Sequence, residues 1–406
     1  MEQKLLSEAK NNAEALTALR RKLHRAAGTG FEIDETLHIV KEELTQLGLQ
    51  PQSCGRAGFT VTLGGKKPGR VFLLRADMDA LPIREESGVE FAAENGNMHA
   101  CGHDMHTAML LGAARLLKAH EDELCGTVKL MFQPAEEIFE GSKDMIENGL
   151  LENPKPDAAM MIHVMAGMPF PAGTVIVSGP GVSAPAADYF TIRVQGVGCH
   201  GSMPNTGIDP LNAAAHIVIA LQELSARELA IADQAVLTIG TFHAGTAANA
   251  IPDIAELGGT LRTFDEAVRT QLKKRLTEIA QAIASAFRAT AEVTFGSGCP
   301  TLYNDPALAA ETPVYMKALL GENAAYSVPE LQQKFGGAGA KTSGSEDFAY
   351  VSQQVPSIMM AMAAGHPDEG YAYPQHHPKA KFDESTLPTG AAVYACTAMR
   401  WLEEHK

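Results

Sequence analysis

Cysteine, cationic charge and long apolar runs are all scarce in this chain, and each shortage removes a class of protein. The six cysteines are scattered over 406 residues without paired spacing. A disulfide framework is therefore not expected, and a reducing, cytoplasmic setting is. Lys and Arg total 33 against 48 Asp and Glu, and the resulting net charge of −15 repels polyanions. Neither nucleic acid nor an anionic membrane surface is expected as a partner. No apolar run approaches the roughly 20 residues of a membrane span, and Ser357-Ile-Met-Met-Ala-Met falls far short. The first ten residues mix charges with leucines and have no apolar signal core, so they read as a helix rather than an export signal. A Gly-x-Ser-x-Gly elbow, a Walker phosphate loop and a strand-borne Gly-x-Gly-x-x-Gly are all missing, and so are internal repeats.

What is present is the composition of a folded globular chain. Hydrophobic residues make up 45% and charged residues 20%, enough apolar surface to exclude disorder for the bulk of the chain. At about 150 residues per domain, two or three domains are expected. Leu5, Leu6, Ala9, Ala13, Leu16, Leu19 and Leu23 predict an amphipathic helix over 1–25. Val71-Phe-Leu-Leu-Arg-Ala, Thr127-Val-Lys-Leu-Met-Phe and Asp157-Ala-Ala-Met-Met-Ile read as strands buried on both faces, with a helix from Met105 to Ala119 between two of them. That rhythm predicts an α/β domain with a mainly parallel central sheet flanked by helices.

Near Val182 the pattern changes. A strand at Tyr189, a helix from Asp209 to Leu229, strands at Ala235 and Ile254, a helix from Glu266 to Phe287 and a strand at Thr290 follow in the ferredoxin-like order β-α-β-β-α-β. The expected division is a discontinuous α/β domain over 1–185 and 297–406 with an α+β insertion at 186–296. After it come the strand at Ser357 and a helix from Leu387 to about Glu404. The segment Gln333 to Gly344 is too rich in glycine to be regular.

Three of the buried strands run out into polar clusters: Arg75-Ala-Asp77-Met-Asp79, Gln133-Pro-Ala-Glu136-Glu137, and His163. Sites in open α/β sheets form at the carboxyl ends of strands, so these residues are expected to converge. The densest group is Met98-His99-Ala-Cys101-Gly-His103-Asp104-Met-His106. Gly102 between Cys101 and His103 allows both to face one ion, and unpaired burial of so many polar groups is costly. A buried thiol beside a helix-capping histidine is the bland alternative. Glu136 and Glu137 fit a solvated loop equally, or a division in which one carboxylate binds metal and its neighbour faces a water. His376-His377-Pro378, His200, Asn249 and Arg262 taken singly read as loop or structural residues, with Arg262 paired to Asp265 or Glu266. Cys101 as a catalytic thiol with His103 or His163 as base leaves the paired glutamates without a role.

Taken together, these motifs resemble the M20 metallopeptidase family, and within it the amidohydrolase subgroup of hippurate hydrolases, auxin–amino acid conjugate hydrolases and N-acetyl-diaminopimelate deacetylases. The resemblance runs through Arg20-Arg-Lys-Leu-His24, Leu74 to Ile83, Met98 to Asp104, Phe132 to Glu137, His200 with Asp209-Pro210, Asn249-Ala-Ile-Pro, Gly344-Ser-Glu-Asp-Phe348 and His376-His-Pro378. It implies two divalent metal ions, zinc or manganese first and cobalt or nickel next, with Cys101 as bridging thiolate. His103 and His163 would complete one site, and Glu137 and His376 the other. Glu136 corresponds to the general base, Asp79 to a residue orienting a ligand histidine, and His200 to a lid-domain donor for the tetrahedral intermediate. Asn249 and Arg262 fall where the family contacts substrate carboxylate or a partner subunit. The implied activity is hydrolysis of the amide of an N-acyl amino acid, with the insertion acting as lid and homodimer interface. An aminopeptidase or dipeptidase on the same scaffold is the alternative, and a non-catalytic binding protein has no use for Glu136. Three departures stand out: Ala27-Gly28 replaces the family's Pro-Glu after His24, Cys199 a usual glycine and Asn205 a common histidine.

Overall fold

The computed structural model describes all residues except 337–343 and the side chain of Phe335. The chain forms two compact units. One is built from Met1–Ser183, Tyr303–Ala340 and Asp347–Lys406, the other from Ala184–Leu302 with Lys341–Glu346.

The first unit opens with helices α1 (Glu2–Asn11), α2 (Ala13–Arg25) and α3 (Asp34–Gln46). The apolar stripe predicted over 1–25 is thus carried by two helices. Asn12 leaves the helical region with φ −98° and ψ 8°, and its side-chain amide donates back to the Glu8 carbonyl at 2.8 Å. Such local side-chain bonds compete with the helical ladder and interrupt it. Then follow β1 (Gln52–Cys54), β2 (Gly58–Gly64), β3 (Arg70–Asp77), α4 (His103–Ala119), β4 (Gly126–Gln133), α5 (Gly141–Glu147), β5 (Ala158–Met165) and β6 (Val175–Val177).

The second unit contributes β7 (Ala186–Gln195), α6 (Pro210–Ala220), β8 (Ala235–Ala244), β9 (Ile254–Thr263), α7 (Glu266–Ala286) and β10 (Thr290–Cys299). The first unit resumes with α8 (Pro306–Leu320), β11 (Ala325–Ser327), α9 (Val328–Phe335), β12 (Ser357–Ala363) and α10 (Leu387–Glu404). Helix α9 takes the start of the segment predicted to be irregular, and 337–343 lie outside the described residues.

The eight-stranded sheet of the first unit has the order β1-β2-β4-β3-β5-β12-β6-β11. Its centre, β4-β3-β5-β12, is parallel, while β2 on one side and β6 on the other are antiparallel additions. Phe72, Leu73, Leu74, Val128, Leu130, Met160 and Ile162 are all at or near zero exposure, the unbroken burial of a sheet covered on both faces. Helix α4 is buried along nearly its whole length, and Trp401 of α10 packs on Phe72 with ring centroids 5.1 Å apart.

A lysine is built into this core. Lys129 on β4 is 3% exposed, and its Nζ donates to the carbonyls of Leu150, Glu152 and Pro154 at 2.6, 2.7 and 3.3 Å. Burial lowers its pKa. Lys129→Met keeps the apolar stem but strands three carbonyls, and is expected to cost about 3 kcal/mol of stability by urea unfolding.

In the second unit the strands pair antiparallel in the order β8-β9-β7-β10. Phe190, Ile192 and Val194 of β7 and Leu257 and Leu261 of β9 form a core with Leu272 and Leu276 of α7. The unit runs past residue 296 because β10 continues to Cys299, with a bulge against β7 between Phe295 and Gly298. Helix α6 stops at Ala220 rather than Leu229, and Leu224–Glu228 forms a separate π-helical turn. Its start is fixed by Asp209, whose carboxylate accepts from the amides of Leu211 and Asn212.

Candidate metal centre

Parallel strands β3, β4 and β5 all deliver their carboxyl ends to the same edge of the sheet, and the chain leaves each through a constrained turn. After β4, Pro134 is followed by Ala135 at φ 55°, and the turn closes at Phe139 with φ 56°. Gly102 caps α4 at φ 91°, where an added Cβ would lie 2.5 Å from Val164 Cγ2. Only glycine suits that place, and it sets Cys101 and His103 to one side. His376 adopts φ 64°, and its amide donates to the Ala100 carbonyl at 3.0 Å, tying the His376 loop to the Cys101 loop. Non-glycine residues held at positive φ concentrate where function requires them.

The donor atoms meet in two trios that share one thiol. Cys101, His103 and His163 form the first, and Cys101, Glu137 and His376 the second, each with its ligand atoms mutually within 4.8 Å. Cys101 Sγ lies 3.5 Å from His163 Nε2 and 3.3 Å from His376 Nε2, and His376 Nε2 lies 3.5 Å from Glu137 Oε1. Donors bonded to one tetrahedral ion stand about 3.3–3.8 Å apart, and these separations fall in or near that range. His103 Nε2 and Glu137 Oε1 are buried without a hydrogen-bond partner. Two orphaned lone-pair donors 3.8 Å apart, an imidazole nitrogen and a carboxylate oxygen, fit a divalent cation. A thiol, imidazoles and a carboxylate suit zinc and its transition-metal neighbours.

The ligand histidines are preset as donors. His103 Nδ1 donates to the Asp79 carbonyl at 2.9 Å, and His163 Nδ1 to the Val164 carbonyl at 2.7 Å, which directs each Nε2 inward. It is the main-chain carbonyl of Asp79 that takes this hydrogen bond. Its carboxylate lies 3.4 Å from the same nitrogen and accepts the amides of Glu136 and Glu137 at 3.1 and 3.2 Å. Asp79 therefore braces both His103 and the loop carrying the paired glutamates.

Burial holds the His163 pKa down at about 3, and lowers that of His376 as well. Burial is the largest single influence on His103 and pulls it down, but the Asp77 carboxylate, Cys101 and the hydrogen bond to Asp79 together raise the group well above the usual range. Burial pushes the Cys101 thiol up, and lifts Glu137 to about 7. Metal ligands bind deprotonated, so a bound cation would take the place of the protons that burial retains on Cys101 and Glu137. Glu136 is 6% exposed, with Oε2 3.9 Å from His103 Nε2.

Three singled-out residues belong to the second unit. The ring of His200 accepts at Nδ1 from the amide and hydroxyl of Ser202, at 3.1 and 2.8 Å, leaving its hydrogen on Nε2. Arg262 donates to Ser345 Oγ at 2.9 Å, while Glu266 pairs with Arg269 and Asp265 caps α7. The Asn249 carbonyl accepts from the Gly201 amide, beside His200. Asp77 and His106, to which sequence patterns assigned no role, lie under the first trio with their side chains hydrogen-bonded at 2.6 Å. The one signal for them is the i, i+3 spacing of His103 and His106, which puts both rings on one face of α4.

A parallel sheet that gathers such donors at its strand ends suits metal-assisted hydrolysis, and the family match and relatives place the chain among the metal-dependent hydrolases acting on amides. The chain belongs to peptidase family M20/M25/M40, whose profile matches residues 73–400, and its relatives there mark it as an amidohydrolase. It is 36% identical to thermostable carboxypeptidase 2 of Saccharolobus solfataricus over 98% of each chain. It is 35% identical to N-acetyl-L-cysteine deacetylase of Bacillus subtilis over 96% of this chain and 89% of that one. Identity to IAA-amino acid hydrolase ILR1-like 2 of Arabidopsis thaliana is 36%, over 99% of this chain and 89% of the relative. Among solved structures, the YXEP protein of Bacillus subtilis, a dinuclear metal-binding peptidase of the M20 family, is similar with a TM-score of 0.78 at 31% identity, covering 97% of this chain and 99% of that one.

Proposed function

We propose that the protein hydrolyses the amide of N-acyl amino acids, releasing a carboxylic acid and the free amino acid, with Glu136 as general base. The observation that carries this is the thiol shared by two donor trios, with Glu136 beside them on the same loop as Glu137. When bound, two divalent ions lower the pKa of water and polarise the scissile carbonyl. In the proposed roles, Cys101, His103 and His163 hold one ion and Cys101, Glu137 and His376 the other, zinc or manganese being the first candidates. Glu136 takes a proton from the attacking water and returns it to the departing amine. Asp79 keeps Glu136 in place through the amide it binds. His200 offers its Nε2 hydrogen to the developing oxyanion, and Asn249 and Arg262 contact the substrate carboxylate or a partner subunit.

The inserted unit is proposed as lid and homodimer interface. Ile219, Val236 and Ile231 of this unit expose 69%, 59% and 107% of their surface. All six cysteines are free, consistent with work in a reducing, cytoplasmic setting. Among the described residues no helix is long and apolar enough to cross a membrane.

Hydrolysis of a panel of N-acetyl, N-benzoyl and N-indoleacetyl amino acids, alongside unblocked dipeptides and with metal analysis of the same preparation, tests the proposal. Preference for blocked substrates supports it. The carboxypeptidase relative favours a second reading, peptide hydrolysis, which faster cleavage of unblocked dipeptides would establish. His200→Ala is expected to lower kcat by about 10²–10³ with metal content unchanged, the loss typical of one oxyanion donor. A change confined to KM would make His200 a binding residue.

A further inference from the structure

Strands β3 and β5 pair only from Phe72↔Ala158 to Arg75↔Met161. Beyond that point they part, and the amides of β5 that faced β3 lose their ladder partners. Two side chains take over. The Tyr394 hydroxyl accepts from the Ile162 amide at 3.2 Å and donates to the Arg75 carbonyl at 2.7 Å, filling the fork. One step further, His106 Nε2 accepts from the Val164 amide at 2.8 Å.

His106 is fully buried and occupied at both nitrogens. Because Nε2 accepts, the ring hydrogen is on Nδ1, which donates to Asp77 Oδ1 at 2.6 Å. Although Asp77, His103 and His106 come close enough together to suggest a third ion-binding trio, His106 has no lone pair left to give. Asp77 is itself held by Arg75 at 2.6 Å, and Arg75 by Gln133 at 2.8 Å and Asp347 at 3.2 Å.

Val164 is the residue on which these bonds converge. Its amide is held by His106, while its carbonyl receives the Nδ1 hydrogen of His163 and the side-chain amide of Gln375, the neighbour of His376, at 2.9 Å. The His106 ring also packs edge-on against His163, with centroids 4.8 Å apart, and stacks on His103 at 5.5 Å.

We propose that His106 is a positioning residue for the metal centre: standing in for the acceptor that β3 no longer offers the Val164 amide, it fixes the peptide from which His163 projects and so the geometry of the Cys101/His103/His163 ion site. This rests on the assignment of that trio as an ion site. On its β12 side β5 stays in the ladder through Met165, but on the β3 side, where the sheet has opened, side chains replace the ladder. An imidazole locked at both ends does this without competing for the ion.

Cobalt(II) titration of the full chain, read by equilibrium dialysis and by the thiolate-to-cobalt absorption band, tests the proposal with His106→Asn, His106→Gln, His106→Phe and His163→Ala. Asn keeps the donor to Asp77 but is too short to reach the Val164 amide, whereas Gln places a carbonyl there. The expected result is an affinity loss of about 10–100-fold for one of the two ions in His106→Asn and His106→Phe, with the other ion unaffected. His106→Gln is expected to retain most of the affinity, and His106→Asn combined with His163→Ala to lose no more than His163→Ala alone. Equal behaviour of the Asn and Gln variants, or equal weakening of both ions, overturns the proposal even if the Phe variant does not fold. Retention of both ions by His163→Ala would instead reject the ion-site assignment beneath it.

Discussion

Replacing Glu136 by glutamine is expected to reduce kcat by about 10²–10⁴ while metal content and fold are retained. The carboxylate lies on the turn after β4, where Pro134, the positive φ of Ala135 and the Asp79 carboxylate on its amide fix its backbone. Glutamine preserves that backbone and the side-chain volume, so what disappears is the capacity to accept a proton from water and deliver it to the leaving amine. Glu137 cannot substitute, because its amide is bound to the other oxygen of Asp79 and its own Oε1 is directed at His376 at 3.5 Å. Steady-state kinetics with metal analysis of the same preparation decides the matter. Turnover close to that of the unaltered protein would move the base elsewhere.

Cys101→Ala is expected to be still more damaging, because it removes the donor common to both trios. Loss of any other ligand leaves one trio complete, whereas loss of this thiol leaves two donors at each. Metal content should fall from two ions to below one per chain, and activity by about 10³-fold or more, the several kcal/mol of transition-state stabilisation that the ions provide. Two ions retained in the alanine variant would show that Sγ is not a shared ligand. Burial pushes this thiol's pKa up and favours its protonated form, and a bound cation would take the place of that proton. The same burial makes a purely nucleophilic role for Cys101 unfavourable, because the thiolate is the attacking form.

Much of the site was visible in short stretches of chain. The cluster from His99 to His106, the Gln-Pro turn before Glu136 and the apolar strands leading to Asp77, Gln133 and His163 are local patterns, and each has a local cause: burial on both faces of a parallel strand, a glycine between two donors, a proline fixing a turn. The β-α-β-β-α-β order of elements in the second unit was legible for the same reason, as alternation of period two and period three to four. The break of the first helix at Asn12 and the early end of α6 at Ala220 were not, since both depend on side-chain hydrogen bonds and packing that weigh little in periodicity.

By itself, the sequence determined the central strands, most of the long helices and the identity of the polar clusters, because spacing along the chain fixes which residues share a face. Tertiary structure alone decided how those clusters combine. That Cys101 stands between His163 and His376, and that Asp79 braces His103 with its carbonyl while its carboxylate holds the glutamate loop, follows from which strands are neighbours and where their turns point. The parting of β3 from β5 made the difference between His103 and His106, two histidines one helical turn apart. One reaches the open end of the fork with its Nε2 unpartnered, and the other is consumed by an amide that the separated ladder left without an acceptor.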